Sequence, residues 1–125
     1  MVLTDRRQKR SSDLVVALHY QLAHARREGA LEAIVIADGS GIAMAGAGAW
    51  ATCEELAAYA PLLTHGEEHG VAAMPRLAEL RGEVDVQSVD VEGQTFLLCA
   101  RGGRSRSQAM DHAAQGVARI FKTAA

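Results

Sequence analysis

The sequence is short of aromatic residues, cysteine and net charge, and these shortages limit what kind of protein it can be. One tryptophan, two tyrosines and two phenylalanines leave alanine and glycine to fill much of the interior, so helices and strands can approach closely. The formal net charge of −2 argues against a protein built mainly to coat nucleic acid. The only cysteines, Cys53 and Cys99, match no metal-binding or redox spacing, and we interpret them as reduced thiols of a cytoplasmic protein.

Long hydrophobic runs are also missing. No stretch approaches the roughly 20 apolar residues of a membrane span, so we expect no membrane insertion. Residues 1–11 are basic, but no signal-peptide apolar segment follows them, and we expect a frayed, solvated end there. The 125 residues suit a single domain, 1–125, whose core needs no metal or disulfide to hold it.

Helical spacing of apolar residues predicts a first and a last helix. The first is expected to begin near Ser12, which can cap it, and to stop before Gly29. The last is expected to begin near Ser105 or Ser107 and carries the clearest apolar stripe of the chain. A short helical turn is predicted within residues 71–80.

A middle helix is predicted from a capping box. Thr52 and Glu55 have the spacing in which each side chain bonds to the backbone of the other, so the helix is expected to begin at Thr52. Pro61 interrupts its apolar stripe, and an interior proline costs about 3 kcal/mol. We therefore expect the helix to kink or end at Pro61.

Two hairpins lie between these helices. In the first, residues 33–37 form a continuous apolar run that fits a strand covered on both faces, and a turn at 38–41 leads to a strand of small side chains. In the second, the valines of residues 84–91 stand first at even positions and then at odd positions, so they would point to opposite faces of a regular strand. This predicts a bulge or bend near Ser88. Residues 96–100 are continuously apolar and should form a central strand.

The predicted order is α-β-β-α-β-β-α. Paired strands joined by short turns are antiparallel, and helices before, between and after the hairpins can cover both faces of one sheet. The fold class is therefore an α/β three-layer sandwich, or α+β by its hairpin content, with an antiparallel sheet of four to five strands.

This order of helices and strands, with the spacing and residue composition of the segments, resembles the roadblock/dynein light chain family, whose fold is profilin-like. The family sheet usually has five strands, of which four can be counted here. The matching pieces are Leu31–Asp38 with Gly39-Ser40-Gly41, Ile42–Gly46, the helix TCEELAAYAPLL, the hairpin around VDVEGQTFLL and the closing GVARIF.

The resemblance implies a dimeric regulatory module without catalytic residues, cofactor or metal. Family members typically pair through the middle helix and a sheet edge. Many regulate or scaffold small Ras-like GTPases, and some bacterial members stimulate hydrolysis without supplying a catalytic arginine. We therefore expect two partners, a second copy of the chain and a small GTPase.

The expected interface combines the middle helix with the strand that begins the second hairpin. That strand is valine-rich and would leave an edge that a second copy can cover. The alternative is that the apolar members of this set are internal core. The interface residues are Glu54, Glu55, Ala58, Tyr59, Leu62, Val84 and Val86.

Two other stretches carry alternatives. Residues 65–69, HGEEH, fit the H-x-x-E-H signature of inverzincin metallopeptidases, with His65 and His69 as zinc ligands and Glu68 as general base. Gly66 argues against the helix that such a site needs, and we favour a solvated acidic loop over a small metal-dependent hydrolase. Residues 102–107, GGRSRS, could bind an anion but lack the order of a P-loop. A structural self-assembly unit, in which both sheet edges pair, is the remaining alternative.

Overall fold

Four helices and four strands make up the part of the chain that the computed structural model describes, residues 2–65 and 75–124. They follow the predicted order, with the short helical turn as an additional helix, α3. The elements are α1 (Val2–Gly29), β1 (Ala33–Asp38), β2 (Ala43–Ala47), α2 (Trp50–His65), α3 (Pro75–Arg81), β3 (Val84–Val91), β4 (Gln94–Arg101) and α4 (Arg106–Ala124).

The four strands form one antiparallel sheet in the order β2-β1-β4-β3. The central strands β1 and β4 pair from Ala33 opposite Arg101 to Asp38 opposite Phe96. Helices α1 and α4 cover one face, and α2 covers the other with Leu80 of α3. The predicted three-layer antiparallel sandwich is confirmed.

The core consists of two apolar clusters, one on each face of the sheet. Ile34, Ile36 and Leu98 face α1 and α4, whereas Val35 and Cys99 face α2. This alternation explains why β1 and β4 have continuous apolar runs, because every side chain of a central strand meets a helix.

The bulge predicted near Ser88 is wrong. The register between β3 and β4 is unbroken from Val84 to Val91, so both halves of β3 belong to one regular strand. The change of parity has a different cause: Val84 packs in the cluster under α2, whereas Val89 and Val91 pack in the cluster under α1 and α4. The irregularity of the sheet lies between β1 and β2, at Ile36 and Ala37.

The helix start predicted at Ser12 is also wrong. Helix α1 begins at Val2 and runs through Ser12, since the segment between them contains no glycine or proline to stop it. Its C-terminal end is close to the prediction, but Ala30 (φ 51°) takes the left-handed position expected of Gly29. Gly29 serves packing instead, because a Cβ there would lie 2.8 Å from the Cβ of Ala109 on α4.

Helix α2 corrects two further predictions. It begins at Trp50, and the amide of Cys53 donates to the carbonyl of Ala49 (3.0 Å), so Thr52 lies inside the first turn and forms no capping box. Of the kink or end expected at Pro61, the end is wrong, because the helix continues past Pro61 to His65. Buried apolar side chains on the sheet-facing side of α2 offset the hydrogen bond that the proline removes.

Candidate interaction surface

The predicted interface residues lie on or beneath the surface formed by α2 and β3. Glu54 and Ala58 are exposed on α2, while Tyr59 and Leu62 are half-buried. Val84 is only 7% exposed, and its side chain belongs to the same core cluster against which Tyr59 and Val86 pack. The structure therefore brings Tyr59, Val84 and Val86 into one cluster, in which the Val84 side chain is buried.

Glu55 has a specific partner that the sequence did not indicate. Its Oε1 accepts a hydrogen bond from Nη2 of Arg76 on α3 (2.5 Å), and Nη1 of Arg76 also reaches Glu79 (3.2 Å). The hydrogen bond from Arg76 lowers the pKa of the Glu55 carboxyl, and the same bond raises the pKa of Arg76. The pair ties α3 to α2, so Glu55 is not a free acidic group.

The outer edge of β3 is open within the described part of the chain. There β3 pairs with β4 alone, so the amides and carbonyls on its other side have no strand partner. Asp85 on this strand is bound by Arg106 of α4 (3.0 Å). A strand edge without a partner strand is a place where main-chain pairing with another strand can occur.

The arginines near residues 102–107 are partly neutralised. Arg106 bonds Asp85 and the carbonyl of Gly102 (3.2 Å), and Arg101 bonds Glu83 (2.6 Å) and lies 3.3 Å from Glu32. With these carboxylates alongside, the loop presents less positive charge than its sequence suggests. The arrangement favours a structural turn over an anion site.

The two thiols are free and buried on the α2 side of the sheet. Burial raises the pKa of Cys53, and burial raises the pKa of Cys99 to about 12. Because the thiolate is the reactive form, neither cysteine is suited to act as a nucleophile.

The HGEEH stretch lies largely outside the described residues, which include only the backbone of His65 at the end of α2. The hydrolase alternative therefore stays a prediction. Within 2–65 and 75–124, no three His, Cys, Asp or Glu side chains lie close enough to hold a metal ion. None of the helices described has the length and apolar character needed to cross a membrane.

A surface groove of about 630 Å³ lies between α1 and α4. Asp13 and Arg119 are its charged residues, and Leu14, Ala17 and Ile120 supply apolar walls. The set contains neither a nucleophile–base pair nor two carboxylates, which are the arrangements that hydrolytic sites need.

Solved structures of MglB proteins have the same arrangement of helices and strands. Myxococcus xanthus MglB superposes with a TM-score of 0.58 at 15% identity, over 89% of this chain and 92% of that chain. This chain has the MglB fold. A structure described as MglB with tetrameric arrangement is 22% identical, covers 90% and 93% of the two chains, and has a TM-score of 0.57.

The gliding protein MglB from Thermus thermophilus gives a TM-score of 0.57 at 19% identity, over 88% of this chain and 92% of that chain. The sequence matches no protein-family model, and no curated protein matches it. The MglB structures are consistent with the roadblock resemblance and confirm the fold that it implies. Four strands are present in the described residues, against the five usual for that family.

Proposed function

We propose that this protein is a non-enzymatic, homodimeric interaction module that regulates or scaffolds a small Ras-like GTPase in the cytoplasm. The observation that carries the proposal is the MglB fold, which extends over 88–90% of the chain. The roadblock family, which this sequence resembles, uses this fold for GTPase regulation. The tetrameric arrangement described for one MglB structure supports self-association as a property of the fold.

The homodimer in this proposal uses α2 and the outer edge of β3. Exposed Ala58 and half-buried Tyr59 and Leu62 supply apolar contact on α2. Val84 and Val86 contribute through their backbone, because their side chains already pack against the α2 layer. Pairing β3 with the same strand of a second copy would satisfy the open main-chain groups across a twofold axis.

The ion pair between α3 and α2 is compatible with a regulator that acts by positioning and does not use Arg76 as a catalytic group. Arg76, which contacts α2, is held by Glu55 and Glu79, so inserting it into a nucleotide site would require breaking both contacts. This agrees with the family's mode of stimulation without a catalytic arginine. Glu54 and Ala58 remain exposed and would take part in the composite surface of the dimer.

Binding to nucleotide-loaded GTPases tests the proposal. The full chain is immobilised, and the Ras-like GTPases of the same organism are presented with either GDP or a non-hydrolysable GTP analogue. We expect one of them to bind in a nucleotide-dependent manner, and its single-turnover hydrolysis rate is then measured with and without the protein.

Two matched arginine variants provide the control. Ala58→Arg changes the exposed face of α2 and should weaken both dimerisation and GTPase binding, whereas Gln115→Arg adds the same charge to the exposed face of α4 and should change neither. The regulatory role is refuted if no Ras-like GTPase binds in either nucleotide state. A mass that stays monomeric at micromolar concentration refutes the homodimer separately.

A further inference from the structure

An uncharged run occupies the middle of α1. Residues 14–23, LVVALHYQLA, contain no Asp, Glu, Lys or Arg, although part of this run faces solvent. Val16 is 51% exposed and Tyr20 is 74% exposed. The two are four residues apart and are therefore neighbours on one helix face. A surface helix ordinarily carries charged or polar side chains on such a face.

Trp50 extends this apolar surface beyond α1. It is 46% exposed at the start of α2, and its ring centroid lies 6.3 Å from that of His19. His19 is one helical turn from both Val15 and Val16, and Val15 is 36% exposed. We call these five residues (Val15, Val16, His19, Tyr20 and Trp50) the neutral face.

The neutral face lies beside β2, the sheet edge opposite β3. In the described chain β2 pairs with β1 alone, and residues 42–52 contain no charge and no proline, which are the usual protections of an edge strand. Nδ1 of His19 covers this edge, at 2.9 Å from the carbonyl oxygen and 3.4 Å from the amide nitrogen of Gly46. A partner that docks here would therefore contact side chains more than it would extend the sheet by main-chain pairing.

We propose that the neutral face is a homotypic docking surface on which a second copy of this chain seats, with Val16, Tyr20 and Trp50 as its anchors. A twofold contact places a surface opposite itself, so a charged surface would bring like charges together. The five residues of the neutral face carry none, and the nearest charge on α1 is the exposed Asp13, one turn before Val16. A strongly acidic or basic partner, or an anionic lipid surface, would find no complementary charge on these residues.

The exposed area suits a contact of this kind. The exposed parts of Val15, Val16, Tyr20 and Trp50 amount to about 400 Å², which is the size of the largest apolar patch on a typical monomer, and such patches often have a function. Two copies remove about twice that area before the surrounding alanines and the rim are counted. The total approaches the roughly 1,000 Å² that marks the lower end of specific interfaces, as expected of a weak contact.

This contact goes beyond the dimer proposed above and does not depend on the GTPase role. The neutral face and the β3 edge lie at opposite edges of the sheet. One chain can therefore make both contacts at once, and the combination builds assemblies larger than a dimer.

Sedimentation velocity on the full chain, over a concentration series in the micromolar range, tests the proposal. Val16→Glu and Tyr20→Glu place a charge at exposed positions, so their thermal unfolding should match that of wild type. We expect both to reduce the assembly mass, while Gln115→Glu on the exposed face of α4 leaves it unchanged. The proposal is overturned if the Val16 and Tyr20 variants assemble as wild type does, or if wild type stays monomeric throughout.

Ala58→Arg separates the two interfaces. If Ala58→Arg leaves a species that Tyr20→Glu dissociates, the neutral face is confirmed even if the α2–β3 dimer is not. If Ala58→Arg alone yields monomers, the α2–β3 dimer accounts for all association and the neutral face is refuted.

The single tryptophan provides a direct readout at the surface. Burial of Trp50 on association should shift its emission to shorter wavelength as concentration rises, and Val16→Glu should abolish the shift. Emission that stays constant while the mass of the wild-type protein increases would show that the contact lies elsewhere.

Discussion

Replacing Gly46 by alanine tests how closely β2 packs on α2. A Cβ at this position would lie 2.8 Å from Sγ of Cys53 and 3.1 Å from the carbonyl oxygen of Ile34. Cys53 is fully buried, and its Sγ already lies 3.6 Å from the carbonyl oxygen of Ala47, so the sulfur has little room to withdraw. Overpacking of this kind costs about 1–3 kcal/mol. For a chain of this length, that corresponds to a fall in Tm of about 3–10 °C.

A double-mutant cycle identifies Cys53 as the cause. Cys53→Ala alone removes the sulfur and leaves a small void, which should lower the free energy of unfolding by about 1 kcal/mol. In the double variant the new methyl group occupies the space of the lost sulfur. We therefore expect it to be more stable than the sum of the single changes, with a coupling free energy of about 1–2 kcal/mol.

Gly116→Ala is the matched control. The three heavy atoms nearest to a Cβ at Gly116 all belong to the amide end of the flexible Gln21 side chain, which can turn away. Because Gly116 lies inside α4, alanine should be neutral or should stabilise by up to about 1 kcal/mol. Urea unfolding followed by circular dichroism measures all four variants. A Gly46→Ala variant as stable as wild type, or a double variant whose loss equals the sum of the single losses, would refute the packing argument.

Two further predictions concern the thiols and the turn between β1 and β2. With both thiols buried and the pKa of Cys99 raised to about 12, Cys53 and Cys99 should not react with Ellman's reagent at neutral pH until the protein unfolds; rapid labelling of the native protein would contradict their burial. Asp38 accepts hydrogen bonds from the hydroxyl of Ser40 (2.7 Å) and the amide of Ile42 (3.1 Å), and the Ser40 hydroxyl is the main cause of its lowered pKa. The ionised carboxylate therefore stabilises the fold above about pH 4, and this contribution is lost as pH falls through the lowered folded pKa. The stability difference between wild type and Asp38→Asn, from unfolding curves at several pH values, should shrink over that range; a difference independent of pH would refute the role of the ionised form.

The fold could be predicted where one physical signal dominated. The continuous runs of β1 and β4 indicate strands covered on both faces, and the stripe of α4 has a single helical interpretation. Predictions that rested on local sequence signals, such as helix caps, were less accurate. Thr52 and Glu55 have the spacing of a capping box, but α2 begins at Trp50 and the Glu55 carboxylate bonds Arg76 instead.

The candidate surface was predictable only in part, because partners distant in sequence define it. Arg76 lies 21 residues from Glu55 in the chain, and no local pattern joins them. The valines of β3 predict a bulge that is absent. Valines that switch from one face to the other are equally expected of a regular strand with a helix layer on both faces, and the sequence of the strand does not distinguish the two cases. The neutral face did carry a signal in the sequence: residues 14–25, a run of twelve within a surface helix, contain no Asp, Glu, Lys or Arg.

The position of β1 in the sheet has a consequence for synthesis of the chain. One of its neighbours, β2, follows directly in the chain, but the other neighbour is β4. Ala33 therefore cannot pair with Arg101 until Arg101 has been translated. Until then the nascent chain holds a strongly apolar strand with one side unpaired, and such a strand edge invites aggregation. We therefore expect ribosome-associated chaperones to bind residues 33–38 of the nascent chain and to protect that segment until the second hairpin emerges from the exit tunnel.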